Sequence, residues 1–159
     1  MEDKTNLKIL RLLVENSKTS LHEIGKKVGI FSPSAVSRRI KEMENNGVIT
    51  RNTVILDPNR LDINFMTVTF VRAHYSKEYQ EILGDKLRSI RGVVSVYFLL
   101  GDIDFVLITL SKNKEEYGEI LKKLMEIPEI ERTDTRTVLK VYRENDYGSI
   151  VDTLLEERE

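Results

Sequence analysis

The chain has no cysteine and no tryptophan, three prolines, and two histidines, His22 and His74. Without cysteine there is no disulfide framework, no thiolate nucleophile and no Cys-ligated zinc or iron–sulfur cluster. Two histidines far apart leave little for an imidazole metal site, so no metal, cofactor or catalytic residue is expected. No apolar run approaches the roughly 20 residues that cross a bilayer. The acidic start Met1-Glu2-Asp3 also lacks the basic and apolar regions of a secretory leader. These absences point to a soluble, cytoplasmic protein that is not an enzyme and has no membrane partner. What is present is 159 residues, 40% hydrophobic and 32% charged, room for one large domain or two small ones.

The net charge of −1 hides an asymmetry. Residues 1–51 hold ten Lys/Arg against six acids, a net of +4, whereas residues 52–159 hold fifteen against twenty, a net of −5. A basic front on an acidic body suggests that only the front meets a polyanion.

That front reads as three helices. Leu7, Leu10, Leu13 and Val14 recur at helical spacing from about Lys4 to Glu15. Ser20-Leu21-His22-Glu23 is a capping box that opens a second helix, and Gly29 suits the left-handed position that stops it. Ser32-Pro33 reads as the cap and first residue of a third helix that runs to about Asn46, with Gly47 its stop. At 100° per residue, Val36, Ile40 and Met43 fall on one stripe of that helix. Ser34, Ser37, Arg38, Lys41 and Asn45 collect opposite them, and Arg39 lies on the flank. A face of hydrogen-bond donors near a helix N-terminus suits the major groove of DNA, with Arg39 placed for a phosphate. Gly25 and Gly29 between two short helices complete a helix-turn-helix pattern. His22, in a helical first turn near this face, is either a phosphate contact or a plain surface residue; His74 reads as a surface or interface residue.

Beyond a connector at 50–64, where Val54-Ile55-Leu56 reads as a short packed strand and Asp57-Pro58-Asn59 as a turn, the pattern alternates. Strands are expected at 65–73, 93–100, 105–110 and 130–141, with helices at 76–90 and 114–126. This is the β-α-β-β-α-β order. An internal repeat supports it: Glu78-Tyr79-Gln80-Glu81-Ile82-Leu83 returns as Glu116-Tyr117-Gly118-Glu119-Ile120-Leu121, thirty-eight residues on. Two related halves, each covering part of a sheet with one helix, make a ferredoxin-like sandwich. The tail 146–159 is a short amphipathic helix that needs its own domain or a neighbouring subunit to pack on.

Taken together, these segments resemble the Lrp/AsnC (feast/famine) transcription factors across nearly the whole chain. The resemblance rests on Leu7–Leu13, on Val28–Lys41 through Gly47-Val48-Ile49, on Leu56-Asp57-Pro58, on Gly101-Asp102-Ile103-Asp104-Phe105 and on Thr133-Asp134-Thr135. It implies an α+β chain with a helix-turn-helix DNA-binding domain at 1–51, a hinge at 52–64 and a ferredoxin-like domain at 65–159 that binds an effector and oligomerises. Ser32, Ser34, Ser37, Arg38, Arg39, Lys41 and Asn45 are the expected DNA contacts. The implied partners are double-stranded DNA at a palindromic operator, a second copy of the chain in a homodimer or larger oligomer, and a small molecule, usually an amino acid. The resemblance places that effector between subunits near Gly101, Asp102, Asp104, Thr133 and Thr135. Three departures stand out. Ile30-Phe31-Ser32 makes the helix-turn-helix turn one residue longer than the commonest pattern, Asp62 replaces a frequent glycine, and the tail is long. The alternatives are a siroheme-type tetrapyrrole decarboxylase of similar two-part architecture and an amino-acid sensor that does not bind DNA.

Overall fold

Asp3 caps the first helix, α1 (Lys4–Glu15), by accepting the Asn6 N–H at 2.7 Å. In α2 (Leu21–Val28) the Ser20 hydroxyl accepts the Glu23 N–H at 3.2 Å. Only this half of the capping box forms, because the Glu23 carboxylate pairs with Lys27 at 3.1 Å. Gly29 ends α2 at φ +80°, a conformation glycine adopts without steric cost. Gly25 permits a closer approach: a Cβ there would lie 2.3 Å from the Ile30 carbonyl oxygen and 3.5 Å from the Val36 side chain. The turn folds directly over Gly25, whose carbonyl accepts the Ile30 N–H at 2.8 Å. Helix α3 (Pro33–Asn45) then buries Val36 and Met43 against Ile9 and Ile24, with Leu10, Leu13, Ile30 and Ile40 around them.

The computed structural model describes residues 2–158. By contacts it comprises two units, Met1–Ile55 with Tyr142–Glu159, and Leu56–Val141. The tail therefore belongs with the helices rather than with 65–159, where the sequence pattern puts it. Its helix α6 (Tyr147–Glu156) packs on α1, burying Val151. Arg11 Nε donates to Asp152 Oδ1 at 2.7 Å, and the Arg158 guanidinium donates to the Glu2 carbonyl.

The expected strand at Val54-Ile55-Leu56 does not form. These side chains are 70, 79 and 62% exposed, and among the described residues no strand lies opposite them to complete a ladder. A single 3-10 turn, Pro58–Leu61, follows. Asp62 has φ +58°, a left-handed conformation that aspartate is one of the few non-glycine residues to tolerate.

The second unit follows the expected order: β1 (Phe65–Ala73), α4 (Tyr79–Ser89), β2 (Val93–Phe98), β3 (Phe105–Ser111), α5 (Lys114–Met125) and β4 (Ile130–Thr137). Helix α4 starts at Tyr79 rather than at 76 because Glu78 is left-handed, φ +61°. The strands form one antiparallel sheet in the order β2-β3-β1-β4, the ferredoxin-like arrangement. Alternation along β1 and β3 sorts the side chains. Val71, Ala73, Phe105 and Leu107 join Leu83, Leu87, Ile120 and Leu124 in the core beneath the helices. The other face carries Met66, Val68 and Phe70 opposite Leu110, Ile108 and Val106, all half-buried.

Candidate nucleic-acid interface and effector segment

Helix α3 presents the expected surface. Pinning Val36 and Met43 inward turns Ser34, Arg38, Lys41 and Asn45 to solvent, with Ser37 half-buried beside them. Arg38 and Lys41 make no ion pair or hydrogen bond among the described residues. At the start of α3, Ser32 occupies the cap position but makes no side-chain capping bond. Its hydroxyl lies 2.7 Å from that of Ser34 instead, so both hydroxyls stay at the exposed tip. His22 is exposed in the first turn of α2.

Arg39, expected at a phosphate, also makes internal bonds. Its Nη1 donates to Asp3 Oδ2 and to Asn6 Oδ1, both at 2.8 Å. The half-buried Arg39 guanidinium ties α3 to the start of α1 through its Nη1. The Asn6 N–H and, after it, the Arg39 guanidinium hold the Asp3 carboxyl below its ordinary pKa.

The effector segment is more divided. Gly101 and Asp102 are exposed in the β2–β3 connection. Asp104, two residues on, is only 3% exposed. Its Oδ2 accepts the Ala73 N–H at 2.8 Å and its Oδ1 accepts the Tyr79 hydroxyl at 3.1 Å. Asp104 thus joins β1, β3 and α4 and does not face solvent as an ammonium-binding carboxylate. Burial first, and then Asp104 as acceptor, raise the Tyr79 pKa. Thr135 is similarly engaged: its hydroxyl lies 2.7 Å from the Tyr117 hydroxyl and 3.0 Å from that of Thr69. Thr133 is half-buried on β4, opposite Val71. Phe105 also pairs with Val71, so the Gly-Asp turn and Thr133 share one end of the sheet but stand two strand spacings apart, about 10 Å. Two shallow grooves flank this sheet. One, of about 300 Å³ between α4 and β2, includes Glu81, Arg88 and Phe98. The other, of about 210 Å³, includes Thr133 and Arg132. Neither contains Gly101, Asp102 or Thr135.

Tyr79 and Tyr117 were not singled out as functional by sequence reasoning, yet they occupy matching places in the internal repeat. Each reaches from its helix to a polar group of the sheet. The repeat was the available signal; the oxygen that each hydroxyl meets was not.

Residues 65–147 match the family model of the Lrp/AsnC ligand-binding domain, and residues 2–50 match a winged helix-turn-helix DNA-binding model. The chain belongs to the Lrp/AsnC family. It is a DNA-binding transcriptional regulator with a ligand-binding domain. It is 33% identical over 142 residues to the HTH-type transcriptional regulator FL11 of Pyrococcus horikoshii, covering 89% of this chain and 92% of that one. It is 28% identical to the regulator Ptr1 of Methanocaldococcus jannaschii over 91% of this chain and 96% of its relative. Among solved structures, a Neisseria meningitidis transcriptional regulator in complex with L-methionine superposes with a TM-score of 0.84 at 25% identity, covering 91% of this chain and 94% of that one. Unlike the winged pattern that the model matching residues 2–50 describes, this Lrp/AsnC chain has no strand before β1 among the described residues. No helix among those residues is long and apolar enough to cross a membrane.

Proposed function

We propose that this chain is a sequence-specific DNA-binding regulator that works in the cytoplasm as a homodimer or larger homo-oligomer, with assembly or DNA affinity set by an amino acid. The carrying observation is the solvent face of α3. Ser34, Ser37, Arg38, Lys41 and Asn45 offer donors, and Arg38 and Lys41 have no partner to give up among the described residues. A donor face beside the N-terminus of the second helix of a helix-turn-helix meets base edges in the major groove, where arginine bridges guanine O6 and N7. Ser32 sits at the tip of that helix. A dimer would place two such helices in successive grooves, which favours a palindromic site.

Support for self-association comes from the sheet. Its helix-free face is a row of apolar pairs, Val68 with Ile108 and Phe70 with Val106, a surface suited to a second copy of itself. The amino-acid effector is supported by the methionine-bound relative. Of the implied contacts, Gly101, Asp102 and Thr133 keep free polar groups toward which an effector could be drawn, whereas Asp104 and Thr135 act by shaping the sheet. Effector binding between subunits would shift an assembly equilibrium and so the spacing of the DNA-reading helices.

In vitro selection of duplex DNA, repeated with each of the twenty amino acids, tests this reading. It expects a palindromic consensus and at least one amino acid that changes affinity or the size of the complex. Recovery of random sequence under every condition would remove it.

A further inference from the structure

The turn between α2 and α3 carries a side chain the DNA-contact set does not include. Phe31 is 98% exposed, more than any other large apolar side chain among the described residues. Its neighbours explain why it cannot turn inward. Ile30 occupies the inner place, with its N–H on the Gly25 carbonyl and its side chain against the Val36 and Met43 core. Ser32 is the cap of α3, and Pro33 fixes the backbone after it. Phe31 is thus a large apolar side chain left in solvent just ahead of α3.

The surroundings say what kind of surface this ring meets. From residue 24 to residue 41 there are five Lys/Arg and no Asp or Glu. Ser32 and Ser34 follow closely in the chain and are exposed, and Arg38 lies one turn beyond Ser34 on the same helix. An apolar group with a cationic, donor-rich surround matches a polyanion with an apolar feature on its edge. On the major-groove edges of base pairs, the thymine 5-methyl is that feature, and a phenyl ring is among the side chains that contact it.

We infer that Phe31 reads a thymine methyl in each half-site, adding an apolar term to the hydrogen-bond readout by α3. The inference rests on α3 being the base-reading helix. It adds one residue and one base identity to that reading.

The test replaces thymine by deoxyuridine, which removes only the methyl group, at each conserved thymine of the selected site, symmetrically in both halves. Affinities are measured for the full-length chain and for Phe31→Ala and Phe31→Leu. For the unsubstituted chain, one position should lose about fourfold per half-site, the worth of one buried methyl carbon. Phe31→Ala should bind more weakly and be indifferent to uracil at that position, while Phe31→Leu should retain part of the penalty. Both variants should melt at the temperature of the parent, since the ring packs on nothing. Indifference of the parent chain to uracil at every thymine overturns the inference. So does a uracil penalty that Phe31→Ala leaves intact, which would assign the methyl to another residue. Recovery of no consensus at all would instead bring down the reading of α3, and this inference with it.

Discussion

In the helical unit, Val36 and Met43 anchor α3 so that Arg38 and Lys41 are left in water with no partner among the described residues. In the sheet unit, two of the five residues the family pattern assigns to effector contact, Asp104 and Thr135, already hold the fold together. The same inference, that a polar residue in a motif meets a ligand, therefore has different standing in the two places. A polar side chain is available to a partner only where its own fold has not satisfied it. Within the helical unit the contrast recurs at one-residue spacing: Arg38 faces out, while Arg39 turns back to Asp3 and Asn6.

Gly25 gives the largest expected effect. Gly25→Ala pushes a methyl group to 2.3 Å from a backbone oxygen, which no rotamer change relieves, and should cost the helical unit about 3 kcal/mol. Thermal or urea unfolding reads this; an unchanged midpoint would mean that the turn is not folded tightly over α2. Next, Asp104→Ala strands the Ala73 N–H and the Tyr79 hydroxyl and should cost about 2–3 kcal/mol, whereas Asp102→Ala should stay within about 0.5 kcal/mol. Equal effects at the two aspartates would erase the distinction between framework and candidate ligand in that turn. Arg39→Ala should cost about 1 kcal/mol of stability, as expected for a partly exposed pair, and leave the salt dependence of DNA binding unaltered. Lys41→Ala should reduce the salt slope by about one phosphate contact. A reversal of those two outcomes would restore Arg39 to the DNA surface.

Acid should produce the mildest change. Glu129 is held below its ordinary pKa chiefly by the Lys86 ammonium, 2.6 Å away, and Asp3 is depressed by Asn6 and Arg39. A depressed carboxylate stabilises the fold fully above its unfolded pKa, 4.5 for Glu129 and 3.8 for Asp3. That contribution is lost as pH falls through the lower folded value. Stability should therefore be flat near neutrality and decline below about pH 4.5 in the sheet unit and below about pH 3.8 in the helical unit. Glu129→Gln should shrink the decline, and no shrinkage would remove the ion pair from the account.

Much of this architecture was legible locally. The spacing of Leu7, Leu10 and Leu13 marks α1 between its observed ends, and alternation along Thr67–Ala73 and Phe105–Ser111 marks which side of the sheet is core. The outward face of α3 follows from the angle between Val36 and Arg38. What was not legible depends on distant partners. Nothing near Asp104 announces that residues 73 and 79 will meet it, and nothing near Arg39 announces Asp3, thirty-six residues earlier. Val54–Leu56 has strand composition, but a strand needs a neighbour, and composition does not supply one. The tail's stripe was evident; its match to α1 through Arg11 and Asp152 was not.

The measurement closest to the central claim is a competition titration of Arg38→Ala against single base-pair variants of the selected operator. If the open side of α3 reads sequence, this protein should lose about 1–3 kcal/mol of affinity and its preference at one base pair per half-site, with its melting temperature unaltered. An Arg38→Ala protein that folds normally and discriminates among all variants as sharply as the parent would contradict it.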